Sequence, residues 1–167
     1  AVYGASVEPG SMGNRAVANL VKGGFAGEII PINPKYAGQE ICGRRCYAGA
    51  ADYGRDIDHA VMMIRASAVV PLIEDAIRGR VRSIAIQSGG FAEIGPAGRA
   101  IQDRVDALVR GAGITLLGPN CLGFVNAAGR VYASPGSVFE AVWPQGGPMA
   151  FISQSGAFLV TRASKLP

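Results

Sequence analysis

Five short, mainly apolar segments recur along the chain, each opening into a turn of small or polar residues. They lie at 1–3 (AVY), 28–32 (EIIPI), 60–64 (AVMMI), 83–86 (SIAI) and 114–117 (ITLL). A strand that is apolar at successive positions is buried on both faces. When such strands alternate with helices, the arrangement that covers them is a parallel sheet with helices on both sides. Three intervening stretches carry helical signals. Residues 11–21 place Ser11 where it can cap a helix, with Val17, Leu20 and Val21 at helical spacing. Residues 67–78 tolerate Pro71 because it falls near a first turn. In 96–110, Pro96 suits the first turn, and Ile101, Val105, Leu108 and Val109 recur at i, i+4, i+7 and i+8. Residues 35–55, with four glycines, read as loop.

The pattern changes after about residue 127. Residues 128–147 lose helical periodicity and carry Pro135, Gly136, Pro144, Gly146 and Gly147, so they read as a linker with a short strand at 131–133. Met149 to Ile152 reads as a new strand, followed by a turn at 153–156 and a helix from Ala157. The expected organisation is a first domain at 1–127 with its opening strand cut short, a linker at 128–147, and an incomplete second domain at 148–167.

Composition narrows the function classes. At 49% hydrophobic over 167 residues the chain can bury enough surface to fold. No apolar run approaches the ~20 residues of a membrane span, so no membrane partner is expected. Lysine plus arginine (16) exceed aspartate plus glutamate (12) by only four, and they are scattered. That excludes a nucleic-acid surface and leaves a mild preference for anionic ligands. Three cysteines without a secretory leader fit a reducing, cytoplasmic setting. Cys42 and Cys46 lack further ligands, and with a single histidine in the chain no metal site is expected.

Chemistry concentrates in the strand-exit turns, which a parallel sheet gathers at its carboxyl edge. The first turn, GASVEPGSMG at 4–13, offers Gly4, Ser6, Gly10, Ser11 and Gly13. Glycines there let backbone approach a phosphate, and the following helix presents free N–H groups. It is neither a Walker loop nor a strict G-x-G-x-x-G; a plain capped turn would read the same way. The second strand ends Asn33-Pro34-Lys35, without the acid that holds the ribose of NAD. A lysine there favours a ligand with an extra phosphate, coenzyme A or NADP, although an exposed turn lysine is the alternative. Ser88, Gly89 and Gly90 follow the fourth strand and Asn120 the fifth. Such turns side by side suit a long, thin ligand. His59, the only histidine, falls at the amino edge and reads as structural, and Cys121 reads as a buried turn thiol.

Taken together, GASVEPGSMGN (4–14), IIPINPK (29–35), SGGFAEIG (88–95), LLGPNCLGFVN (116–126) and FISQSGAF (151–158) resemble the NDP-forming acyl-CoA synthetases, the superfamily of the succinyl-CoA synthetase alpha chain. The resemblance implies a Rossmann-like coenzyme-A-binding domain followed by the first strand-turn-helix of a flavodoxin-like one. It implies an acid–thiol ligase working through acyl phosphate and phosphohistidine. Coenzyme A or acyl-CoA would meet Ser6, Gly10, Ser11 and Gly13 with its phosphates, Lys35 with another phosphate, and Ser88 to Gly90 along its length. Ser155 and Gly156 would hold a phosphoryl group. No catalytic residue is expected in this chain, because the family histidine lies beyond 167; alone the chain is expected to be inactive. ATP or ADP with Mg would belong to an ATP-grasp portion, in the same chain or a separate subunit, and the full protein is expected to be an oligomer. Ile64-Arg65-Ala66 departs from the family's usual Val-Pro-Ala and puts a charge near the expected ligand. The competing readings are a free-standing coenzyme-A-binding regulatory module and an NADP-binding oxidoreductase domain.

Overall fold

In the computed structural model, residues 1–136, 143, 146–148 and 150–163 are described, the side chains of 157, 159, 160 and 163 excepted. The expected architecture is present. Strands β1 (Val2–Tyr3), β2 (Pro31–Ile32), β5 (Ala60–Met62), β6 (Ser83–Ile86) and β7 (Thr115–Leu117) form one parallel sheet in the order β2-β1-β5-β6-β7. Helix α1 (Met12–Lys22) covers one face, packing Ala16, Val17 and Leu20 with Val2, Ile29 and Tyr36. Helices α3 (Val69–Arg78) and α4 (Pro96–Gly111) cover the other, where Ile73, Val105 and Val109 meet Met62, Ile84 and Ile86. This is an α/β, Rossmann-like fold. Its strand order reverses between β1 and β5, the point at which such sheets open a crevice beyond their strand ends.

Strands β2, β5 and β7 are shorter than their apolar runs. A ladder extends only as far as its neighbour: within this sheet β2 pairs with β1, which has two residues (Val2 opposite Pro31, Tyr3 opposite Ile32), and on its other side Ile32 makes a single parallel bridge to Tyr47. Tyr3 also anchors the sheet to the helix layer. Its hydroxyl donates to Asp75 Oδ2 at 2.8 Å, and the same oxygen accepts from the Ala50 amide at 2.7 Å.

The segment read as loop contains more structure than expected. Strands β3 (Glu40–Ile41) and β4 (Arg44–Arg45) form an antiparallel hairpin, and α2 (Ala50–Tyr53) follows. The hairpin turns on Cys42 (φ 50°) and Gly43 (φ 71°), both left-handed, which is the type I′ geometry that joins two strands through two residues. The expected strand at 131–133 is β9 (Val131–Ala133), but it pairs with an unforeseen β8 (Phe124–Asn126). Tyr132 and Ala133 are buried, and Asn19 Nδ2 donates to Ser134 O at 2.8 Å, so this part of the expected linker lies against α1. Positions 137–142 and 144–145 of that stretch lie outside the described residues. The strand expected from Met149 to Ile152 is not formed at 150–152, where no strand among the described residues lies alongside to accept its hydrogen bonds; Met149 lies outside the described residues. The helix expected from Ala157 is α5 (Gly156–Ala163).

His59 sits at the amino edge, as expected. Ser83 Oγ donates to Asp58 O at 2.7 Å, which leaves His59 Nδ1–H to donate to Ser83 Oγ at 2.8 Å. The ring stands edge-on to Phe124, and its Nε2 is buried without a partner among the described residues. Burial chiefly lowers its pKa to about 4, with a smaller push from the terminal ammonium.

Two predictions follow from this packing. A Cβ on Gly98 would stand 1.9 Å from Phe91 O, whereas one on Gly111 of the same helix would meet nothing within 4 Å. Gly98→Ala is therefore expected to destabilise by about 1–3 kcal/mol in urea denaturation. Gly111→Ala should be neutral or stabilising by up to ~1 kcal/mol. Equal effects would mean that α4 does not need this close approach. Secondly, unfolded His59 takes up a proton near pH 6.5 while folded His59 resists until about pH 4. The His59 contribution to stability should be constant above pH 6.5 and fall by about 2 kcal/mol by pH 4.5, the partial exposure of the ring discounted. The Ala1 ammonium, pushed down to about 5 chiefly by burial, adds a loss of its own as pH falls below 8. His59→Asn should remove the His59 part of the slope in denaturant titrations between pH 6.5 and 5 and leave the Ala1 part.

Candidate functional site

All five strand exits open on one edge, and the first is the most tightly built. Gly4 has φ 81°, and a Cβ there would lie 2.8 Å from Met63 O on the neighbouring β5 exit. A Cβ on Gly13 would lie 1.9 Å from Gly4 O. These two glycines therefore let β1, β5 and the start of α1 converge backbone to backbone. The loop between them is self-bonded. Ser6 Oγ accepts from the Glu8 amide (3.0 Å), and Asn14 Nδ2 donates to Ser6 O (2.9 Å). Ser11 Oγ donates to Glu8 O (2.9 Å) and accepts from the Asn14 amide (3.3 Å), the helix cap its sequence position foretells. The amides of Met12 and Gly13 donate to nothing among the described residues. Space beside Gly10 is open to at least 4 Å.

The β2 exit is tied to this loop. Asn33 Nδ2 donates to Ala5 O at 2.8 Å, and Asn33 Oδ1 accepts from the Lys35 amide at 3.0 Å. Lys35 Nζ lies 4.7 Å from the centre of the Tyr36 ring and 3.8 Å from Glu8 Oε1. Tyr36 OH donates to the same carboxylate oxygen at 3.1 Å. Tyr36 first, and Glu8 after it, hold the Lys35 ammonium above its ordinary pKa. Lys35 thus already faces an anion, one that the sequence reading did not single out. Glu8 is the only acid in the first turn, and that was the available signal.

The β6 and β7 exits form a second group. A Cβ on Gly89 would stand 3.0 Å from Glu93 Oε1 and 3.4 Å from Asn120 Oδ1, and the Asn120 amide donates to Ser88 O at 3.0 Å. Glu93 reaches back to accept from the amides of Gly90 (2.5 Å) and Phe91 (3.1 Å). Those amides, Gly90's above all, hold its carboxyl below the usual range. Glu93 was also unforeseen, although an acid three residues beyond Gly90 has the spacing of a side chain capping a turn. Ser88, Gly89, Gly90 and Asn120 are thus brought together. The start of α5 abuts Leu122, two residues beyond Asn120: a Cβ on Gly156 would run into Leu122 Cδ1 at 1.9 Å, and Ser155 Oγ accepts from the Phe158 amide at 3.2 Å. Cys121 is half-buried, its sulfur accepting from the Gly123 amide at 3.4 Å.

The edge is therefore a shelf with two ends. At about 4.8 Å per strand, β2 to β7 spans roughly 20 Å. One end carries Lys35, open amides and the start of α1. The other carries amides already taken by a carboxylate. Cavities of about 230 and 280 Å³ lie at the opposite edge, beside His59 and beside Arg80. They are lined largely by strand entrances, whereas an elongated ligand needs an open shelf rather than a hole.

Comparison with known proteins bears on what this shelf serves. Residues 1–127 match the family described as CoA binding domain. The chain is 35% identical over 160 residues to acetate–CoA ligase (ADP-forming) I of Archaeoglobus fulgidus, covering 96% of this chain and 22% of the relative. It is 35% identical over 159 residues to the alpha subunit of the corresponding Pyrococcus furiosus ligase, covering 94% and 34%. The dinucleotide-forming acetyl-coenzyme A synthetase 1 of Ca. Korarchaeum cryptofilum, solved in complex with phosphate and ADP, superposes with a TM-score of 0.87 at 30% identity, covering 98% of this chain and 34% of that one. The chain thus spans between 22 and 34% of the length of these relatives. No helix among the described residues is long and apolar enough to cross a membrane. The match over 127 residues, carried on a parallel sheet whose exits line one open edge, shows that the chain belongs to the CoA binding domain family.

Proposed function

We propose that this chain binds coenzyme A or acyl-CoA along the carboxyl edge, and that it does so as the coenzyme-A-binding part of an NDP-forming acyl-CoA synthetase. The observation that carries the reading is the division of the shelf. Coenzyme A is a nucleotide with three phosphates at one end and a long neutral arm at the other. The β1–β2 end supplies what phosphates need: unpaired amides at a helix N-terminus, room beside Gly10, and the Lys35 ammonium. At the β6–β7 end Glu93 occupies the amides of Gly90 and Phe91, so an anion there would meet a carboxylate. That end suits the neutral arm, passing Ser88, Gly89, Gly90 and Asn120.

Lys35 must exchange one anion for another. Its contact with Glu8 is an exposed pair at 3.8 Å, weak enough for a phosphate to displace. Ser155 and Gly156, next to Leu122, stand where a phosphoryl group approaching the far end of the cofactor would meet the N-terminus of α5. His59 lies at the opposite edge, so we assign no catalytic role within this chain. Nucleotide with Mg, and the ATP-grasp partner that would use it, belong to the remainder of such an enzyme. A second, flavodoxin-like domain from about residue 148 and an oligomeric full protein complete the proposal.

Calorimetric titration of the 167-residue chain tests it. Coenzyme A should bind and NADPH should not; heat with NADPH alone would replace this reading with the dinucleotide one. Lys35→Ala should weaken coenzyme A by about 1–2 kcal/mol. Glu8→Gln should leave binding unchanged or tighten it severalfold. The chain alone should form no acyl-CoA from acid, coenzyme A and ATP, and turnover by pure material would mean that a catalytic group has been overlooked.

A further inference from the structure

We infer that Arg65 is a second phosphate-holding residue, placed on the other side of the β1 loop from Lys35, and that it grips the diphosphate of the bound nucleotide while Lys35 takes the separate phosphate monoester. This rests on the coenzyme A reading above and deepens it.

The β5 exit, residues 63–66, fills the crevice at which the strand order reverses. On one side Met63 O and Ile64 Cδ1 lie 2.8 and 2.9 Å from where a Gly4 Cβ would stand. On the other, Ala66 Cβ lies 3.3 Å from a Cβ built on Gly90. Arg65 is therefore bracketed by the two glycine turns of the shelf. Its backbone is fixed: Ala68 N donates to Arg65 O at 2.9 Å as a short 3-10 turn begins, and the next residue, Ala66, is buried. Its side chain is exposed and makes no ion pair, hydrogen bond or ring contact among the described residues. The cation on the β2 exit and two at the opposite edge differ. Lys35 has Glu8 and Tyr36, while Arg80 and Arg82 at the amino edge share Asp56. A guanidinium held at the mouth of a crevice without a carboxylate is a ready anion site, and its planar fork matches two phosphate oxygens at once.

Spacing separates the roles. Lys35 leaves β2 and Arg65 leaves β5, with β1 between them, so the two exits are two strand spacings, roughly 10 Å, apart. The open amides of Met12 and Gly13 follow the turn between them. A nucleotide with a diphosphate and a phosphate monoester on opposite sides of its ribose offers one group to each cation.

The test compares coenzyme A with dephospho-coenzyme A, which lacks only the monoester, on wild type, Arg65→Ala, Arg65→Lys, Lys35→Ala and the amino-edge control Arg110→Ala. Arg65→Ala should weaken both ligands by the same factor, roughly tenfold, and flatten the salt dependence of both. Arg65→Lys should restore part of the loss. Lys35→Ala should weaken coenzyme A alone, and Arg110→Ala should stay within about twofold for both. Arg65→Ala binding both ligands like wild type overturns the proposal, and so does a loss confined to coenzyme A. Melting temperatures read alongside check that the variants are folded, which the exposed, unpartnered side chain leads us to expect. If wild type binds neither ligand, the coenzyme A reading itself falls and this inference with it. Wild-type binding with an unaffected Arg65→Ala removes the inference alone.

Discussion

The approach of three backbone segments at the exit of β1 governs the rest of the molecule. Gly13 lies on Gly4 O and Gly4 lies on Met63 O, with no room for a side chain at either contact. Because α1 starts this close to the sheet, its N-terminal amides sit over the strand ends instead of beside them. Because β5 leaves this close to β1, the crevice at the reversal of strand order is narrow enough for opposing turns to share a ligand. A methyl group at position 13 would push α1 outward and take the amides of Met12 and Gly13 with it. Fold and candidate site are joined at this point, so damage here affects both.

The charge distribution along the edge is set by internal carboxylates more than by cations. Glu93 takes the amides of the β6 turn, and Glu8 stands against Lys35 at the β2 exit. The two act differently because their bonds differ. Glu93 makes two backbone hydrogen bonds within its own turn, a local clamp that holds the carboxylate below its usual pKa and shapes Gly89 and Gly90. Glu8 makes one long ion pair with the exposed Lys35 and one bond from the hydroxyl of the otherwise buried Tyr36. An arriving anion can take the place of the second and not of the first. The shelf therefore has one end whose carboxylate is fixed and one whose carboxylate an incoming anion can displace.

What the sequence reveals follows the range of the interaction involved. Helix α4 is legible because Ile101, Val105, Leu108 and Val109 repeat along one face. Ser11 is legible as a cap because its partner, the Asn14 amide, lies three residues away. The parallel sheet follows from apolar runs alternating with helices, and with it the gathering of Ser6, Lys35, Gly89 and Asn120 at one edge. Strand length is not legible, since β2 is limited by the two residues of β1. Nor is the β3–β4 hairpin: its turn uses Cys42 at positive φ, a position where glycine or asparagine is the usual signal. Strand β8 was hidden because Phe124, Val125 and Asn126 gain their pairing only from β9. Glu8 and Glu93 are surface acids by composition and become site residues only when Lys35 arrives from 27 positions away, or when the Gly90 turn folds back.

The same logic explains why the sequence puts the Arg65 charge near the expected ligand without saying what it meets there. A charge after an apolar strand is ordinary, and its meaning depends on what else the fold brings near. Here the fold brings two glycine turns to either side and, among the described residues, no carboxylate within hydrogen-bond reach. Had Glu8 or Glu93 been free to reach it, Arg65 would be one more surface pair of little energetic weight. Both acids are engaged elsewhere, Glu8 by Lys35 and Tyr36, Glu93 by the amides of Gly90 and Phe91. The internal carboxylates thus do two things at once: they shape the turns, and by being occupied they leave the guanidinium at the centre of the edge for an anion from outside.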